Sequence, residues 1–109
     1  EYEVVINGMP VADISQKGIS FFSSQSFQKH NTLDNATLDL PAVYCSSEEE
    51  CYFEGGLITI PQAVIANCIQ EKNGYRYGGH FTAEWPTQAV KTLNDFLLAL
   101  RKKSREENP

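Results

Sequence analysis

Apolar and polar residues alternate with a period that changes along this chain, and each change predicts an element. Residues 2–6 and 9–14 alternate on either side of Asn7-Gly8, two residues that tolerate positive φ, so a β-hairpin is predicted there. In that register Tyr2, Val4 and Ile6 share a face with Met9 and Val11. Pro10 falls opposite Val5 and lacks a donor on its far side, which makes the second strand an edge at that point. Residues 19–22 follow the turn Ser15-Gln16-Lys17-Gly18 and read as a third strand, and residues 37–40 read as another, ending before Pro41. Between them, Ser23 to Asn35 is polar and aperiodic. Loops of that length are uncommon in small domains and often functional.

The second half of the chain carries three further signals. Gly55-Gly56 separates residues 51–54 from 57–60, a second hairpin with Cys51, Phe53, Ile58 and Ile60 inward and Tyr52, Glu54, Leu57 and Thr59 outward. Val64, Ile65, Cys68 and Ile69 then fall at helical spacing behind Pro61 and ahead of Asn73-Gly74, predicting a helix over 61–72. A third hairpin is predicted about Gly78-Gly79, joining residues 75–77 to 80–85. It turns Phe81, Ala83 and Trp85 toward the core and Tyr75, Tyr77, His80, Thr82 and Glu84 away from it. Pro86-Thr87 opens a last helix with Ala89, Val90, Leu93, Phe96, Leu97 and Leu100 on one arc and Leu98 outside it. Arg101, Lys102, Lys103 and Arg105 complement the dipole at its end, and residues 103–109 are expected to fray. The 109 residues therefore predict a single α+β domain, an antiparallel sheet built from hairpins and packed on one face by two helices.

Charge adds a direction to this outline. The net charge of −5 opposes general nucleic-acid binding, which demands a basic face. Residues 1–71 hold ten acids against Lys17 and Lys29, a balance of −8, whereas residues 72–109 hold seven bases against four acids, a balance of +3. Between His30 and Glu71 no Lys or Arg occurs. Such a field favours a basic partner and fast encounter, although solubility alone would also explain it. No apolar run approaches the roughly 20 residues that span a bilayer.

A search for catalytic chemistry yields little. No nucleophile elbow, phosphate-binding loop, zinc-protease helix, calcium loop or dinucleotide fingerprint is present, so the chain reads as a non-enzyme without cofactor or metal. Cys45 and Cys51, five residues apart, could close a disulfide in a periplasmic or secreted protein. Reduced thiols in the cytoplasm are the plainer reading, with Cys51 and Cys68 packed as small hydrophobes. His30 and His80 could assemble a small-ligand or hydrolytic site beside the long loop, but nothing in the sequence brings them together.

The outward sheet face is the stronger signal. Tyr52, Tyr75 and Tyr77 there join Glu54, Glu84 and His80, beside Asp39 and the acidic turn Glu48, Glu49 and Glu50. Tyrosine supplies large contact area at low entropic cost, whereas a half-exposed sheet prefers aromatics in any case and the long loop could cover them. The expectation from sequence is a small acidic inhibitor or immunity-type protein that neutralises a basic partner such as a toxin or nuclease. The alternatives are a ligand site near His30 and His80, or a subunit of a larger assembly touching through Leu98.

Overall fold

The computed structural model describes residues 3–44 and 52–107. Cys45, Cys51 and the turn Glu48, Glu49 and Glu50 lie outside the described residues, as does any disulfide between the two cysteines. The chain is α+β. Among the described residues ten strands run in the order β1 (Val5–Ile6), β2 (Met9–Ile14), β3 (Gly18–Ser23), β4 (Thr32–Leu33), β5 (Thr37–Leu40), β6 (Val43–Tyr44), β7 (Tyr52–Phe53), β8 (Gly56–Thr59), β9 (Ala63–Glu71) and β10 (Gly74–Phe81). Among the described residues one helix, α1 (Thr87–Glu107), follows. Eight strands form one antiparallel sheet in the order β4-β9-β10-β3-β2-β1-β5-β8, curled into a half-barrel, and β6 pairs with β7 beside it.

The first hairpin forms as expected. Asn7 and Gly8 take φ of 47° and 82°, the pair of positive values a two-residue turn needs, and Val5 faces Pro10. The Asn7 side-chain oxygen also accepts the Thr37 N–H at 2.9 Å, tying this turn to β5. Pro10 marks only a local edge, because β3 joins β2 from Val11 onward.

The helix predicted over 61–72 is instead strand β9. Val64, Ile65 and Ile69 are β-branched and lose side-chain freedom in a helix, and Ala63 and Ile65 alternate inward against β4 and β10. Lys72 and Asn73 form the two-residue turn into β10, so Asn73-Gly74 is a hairpin signal and not a helix stop. Cys68 is consequently exposed, not a core thiol.

The two glycine pairs were also misleading as turns. Gly55 takes φ of 90°, but β7 pairs with β6 and β8 pairs with β5, so no hairpin joins them. The inward direction of Phe53 and Ile60 nevertheless holds. Gly78-Gly79 lies inside β10, where β10 pairs with β3 on one side and β9 on the other. A continuous strand keeps strict alternation, so Tyr75 and Tyr77 share a face with Phe81 and point inward; Tyr77 is only 1% exposed. Ala83 is exposed, and Trp85 is buried as expected.

Two plugs fill the half-barrel. At one end α1 packs on β6, β7 and β8, burying Ala89, Leu93, Phe96 and Ala99, with the rings of Phe96 and Phe53 edge to face at 5.4 Å. At the other, the long loop covers Tyr77. Phe27 meets its ring edge-on at 5.1 Å, the Phe27 N–H donates to its hydroxyl at 2.8 Å, and that hydroxyl donates to the Gln25 carbonyl at 2.9 Å. Tyr77→Phe keeps the ring but strands two part-buried backbone groups, and chemical denaturation should report a loss of about 1–3 kcal/mol. A Tyr77→Phe protein as stable as the wild type would mean that the loop is not anchored there.

Candidate functional site

Of the residues expected on the partner face, the structure brings Tyr52 and Glu54 together and turns Tyr77 inward. Tyr77 is core and Tyr75 half-buried, leaving Tyr52 as the exposed one of the three tyrosines. Asp39 sits exposed on β5, opposite Val5 and Leu57. Glu54 follows β7, His80 lies near the end of β10, and Glu84 lies in the segment before α1, all exposed. These residues are spread over several elements.

The two histidines do not converge either. His30, with φ of 74°, donates its backbone N–H to the Ile65 carbonyl on β9, while His80 on β10 faces Val64 and Gly18. Strand β9 separates the two backbones. Among the described residues no group of three or more His, Cys, Asp or Glu could hold a metal. No helix of the described residues is long and apolar enough to cross a membrane.

What the structure does build is a cleft of about 680 Å³ where the β2–β3 turn meets the chain leaving β10, lined by Gln16, Lys17, Phe81, Thr82, Ala83, Glu84 and Trp85. Local chemistry fixes both sides. The Ser15 hydroxyl accepts the N–H groups of Lys17 and Gly18 at 3.2 and 3.3 Å, closing the turn that carries Gln16 and Lys17. Phe81 N–H then donates to the Lys17 carbonyl, and Thr82 N–H to the Gln62 carbonyl, both at 3.0 Å. Gln62 is held in turn by Asp34, whose oxygen accepts its side-chain amide at 2.6 Å. That bond, with another from Thr32, holds the Asp34 carboxyl below its ordinary value.

The apolar wall of this cleft is Phe81 against Trp85, edge to face at 5.3 Å. Trp85 Nε1 is buried and has no hydrogen-bond partner among the described residues. Few buried donors in native proteins lack a partner, which singles out this indole N–H. The sequence reading recognised the Ser15–Gly18 turn but attached no function to it, because its pairing with residues 81–85 is a long-range contact.

The other exposed tyrosine feature is a pair. Tyr44 and Tyr52 lie across the β6–β7 ladder with ring centroids 5.2 Å apart. Partial desolvation, then the charge and hydrogen bonds of the neighbouring Tyr44 and Glu54, push the Tyr52 hydroxyl above its ordinary value.

Comparison with known proteins matches the fold alone. The chain superposes over 96% of its length on the structure of the Bacillus subtilis inhibitor of motility MotI/DgrA, with a TM-score of 0.57 and 16% sequence identity. It spans about half of that protein, 48% of its chain. No protein-family model and no curated protein matches the sequence.

The turn that carries Lys17 depends on glycine at its end. A Cβ at Gly18 would stand 2.8 Å from the Gly79 carbonyl oxygen, a backbone atom that cannot swing aside. Gly18→Ala should therefore cost about 1–3 kcal/mol in thermal or chemical denaturation. An unchanged melting curve would show that β3 and β10 approach less closely than described.

Proposed function

We propose that this chain is a non-enzymatic, ligand-responsive inhibitory domain, and that its small molecule binds in the cleft between the β2–β3 turn and the segment Phe81–Trp85. The observation that carries this reading is the chemistry of that cleft. One cation, Lys17, stands on a pinned turn opposite an aromatic wall, with polar groups at its rim and an unpartnered indole N–H behind it. The resemblance to a motility inhibitor supports the inhibitory output, through fold alone.

The ligand class is a phosphorylated nucleotide. Lys17 offers a point charge to phosphate, Phe81 and Trp85 offer apolar surface to a base, and the Glu84 carboxylate is an acceptor for the amino and ring N–H edge of guanine. The volume falls within the usual 300–1,000 Å³ of small-molecule sites. His80 precedes Phe81 on β10 and His30 lies beyond β9, and neither histidine lines the cleft. Nothing in this arrangement requires a reaction.

Calorimetry with cyclic di-GMP, beside GMP and inorganic phosphate, tests the reading. Saturable binding of the dinucleotide should shift the Trp85 indole signal in a ¹⁵N spectrum. Lys17→Ala should weaken binding about tenfold, the value of one charge-assisted hydrogen bond. Absence of binding by all three at about 1 mM, or shifts that avoid Lys17 and Trp85, would sink the proposal.

A further inference from the structure

A second cleft, of about 540 Å³, opens where α1 crosses the β7–β8 segment. It lies on the opposite plug from the long loop and shares no lining residue with the cleft proposed for the nucleotide. One wall is Tyr52, Glu54 and Leu57. The other is a stripe along α1, Thr92, Asp95, Leu98 and Ala99, and the floor is the bare backbone of Gly55 and Gly56. Leu57 is 69% exposed, Tyr52 56% and Leu98 46%, and Tyr44 adds its ring beside Tyr52.

Four of the described large exposed hydrophobic side chains therefore gather around one groove. Clusters of that kind on a soluble surface mark interaction sites. The charge on the groove has one sign. Glu54 and Asp95 line it, and none of its lining residues is a cation. Lys91 does reach Asp95 at 2.9 Å, but both side chains are more than half exposed, and such an ion pair yields readily to a better one. The sequence joining β6 to β7 carries Glu48, Glu49 and Glu50 with no base.

We infer that this groove is the protein-docking surface of the domain, and that its occupant is a basic amphipathic segment of a partner protein, with apolar side chains seated between Leu57 and Leu98 and cations set against Glu54 and Asp95. A second copy of the chain is the less suitable occupant, because each copy carries a net charge of −5. Tyrosine and leucine at the centre supply the buried anchor, and the carboxylates steer encounter.

Gly56 makes the inference testable without unfolding the sheet, since a Cβ there meets nothing within 4 Å. A Gly56→Leu side chain should grow into the open groove and block it. The probes are a synthetic amphipathic helix with leucine and lysine faces and its leucine–glutamate counterpart, followed by fluorescence anisotropy and ¹⁵N chemical shifts. The lysine peptide should bind and move the signals of Tyr52, Leu57 and Leu98. Gly56→Leu should weaken it about tenfold or more. Glu54→Lys combined with Asp95→Lys should reverse the preference toward the glutamate peptide. Leu98→Ser, on the exposed side of α1, should also weaken binding and provides a second variant should Gly56→Leu melt early. Equal binding of both peptides, shifts confined to other surfaces, or wild-type affinity in the groove variants would overturn the inference. So would a concentration-dependent dimer that Gly56→Leu or Leu98→Ser abolishes, since the occupant would then be a second copy.

Discussion

Strand β10 can lie between β9 and β3 because residues 78 and 79 have no side chains. A Cβ at Gly79 would stand 2.9 Å from the Val64 carbonyl oxygen, and one at Gly18 2.8 Å from the Gly79 oxygen. The space over Gly78 is taken by the Asn67 amide. At this point β9 carries a bulge, which adds a residue and strengthens the local twist. A second bulge, between Val11 and Asp13, does the same where β2 meets β3. The sheet therefore curls instead of staying flat, and its inner face closes around Phe21, Ile65 and Tyr77.

The curled sheet sets where everything else can go. Its inner face is open at two ends, and each needs a cover to keep large apolar side chains from water. One end takes the helix, whose short alanines 89 and 99 let Leu93 and Phe96 reach the strands. The other takes an irregular loop, which is able to fill the space because its backbone groups find partners in the Tyr77 hydroxyl and in β9. Two surface clefts lie along the helical cover. The junction of β10 with α1 makes the cleft with Lys17, and the crossing of α1 over β7–β8 makes the acidic groove. A rigid sheet presenting adaptable rims is a common arrangement for binding proteins. The likeness to MotI/DgrA at 16% identity is one of fold alone.

Separation of the two sites follows from the same geometry. The cleft that carries Lys17 is built on the turn between β2 and β3, whose position depends on the β3–β10 pairing. The groove depends on α1 and on β7–β8. Since α1 begins two residues after Trp85, the wall of the first cleft and the helix of the second are continuous in the chain. A ligand that reoriented Trp85 would therefore act on the start of the element that carries Thr92, Asp95 and Leu98.

By itself the sequence determined the local elements whose signals are local. Asn7-Gly8 specified a hairpin because only residues tolerant of positive φ suit that turn, and the spacing of Ala89, Leu93 and Phe96 specified a helix because they fall on one face. The α+β class, the burial of Trp85, Phe53 and Ile60, and the acidic character of the first 71 residues were all legible there. The identity of β9 was not. Val64, Ile65, Cys68 and Ile69 satisfy helical spacing as well as they satisfy a strand, and β4 and β10 decided between them by offering backbone partners. Gly78-Gly79 looked like a turn because glycine permits turns, whereas here it permits two neighbouring strands to come close. That single difference in register turned Tyr75 and Tyr77 from the expected surface into the interior. The cleft and the groove each join residues more than thirty positions apart, so they exist only once the sheet has curled and α1 has crossed it.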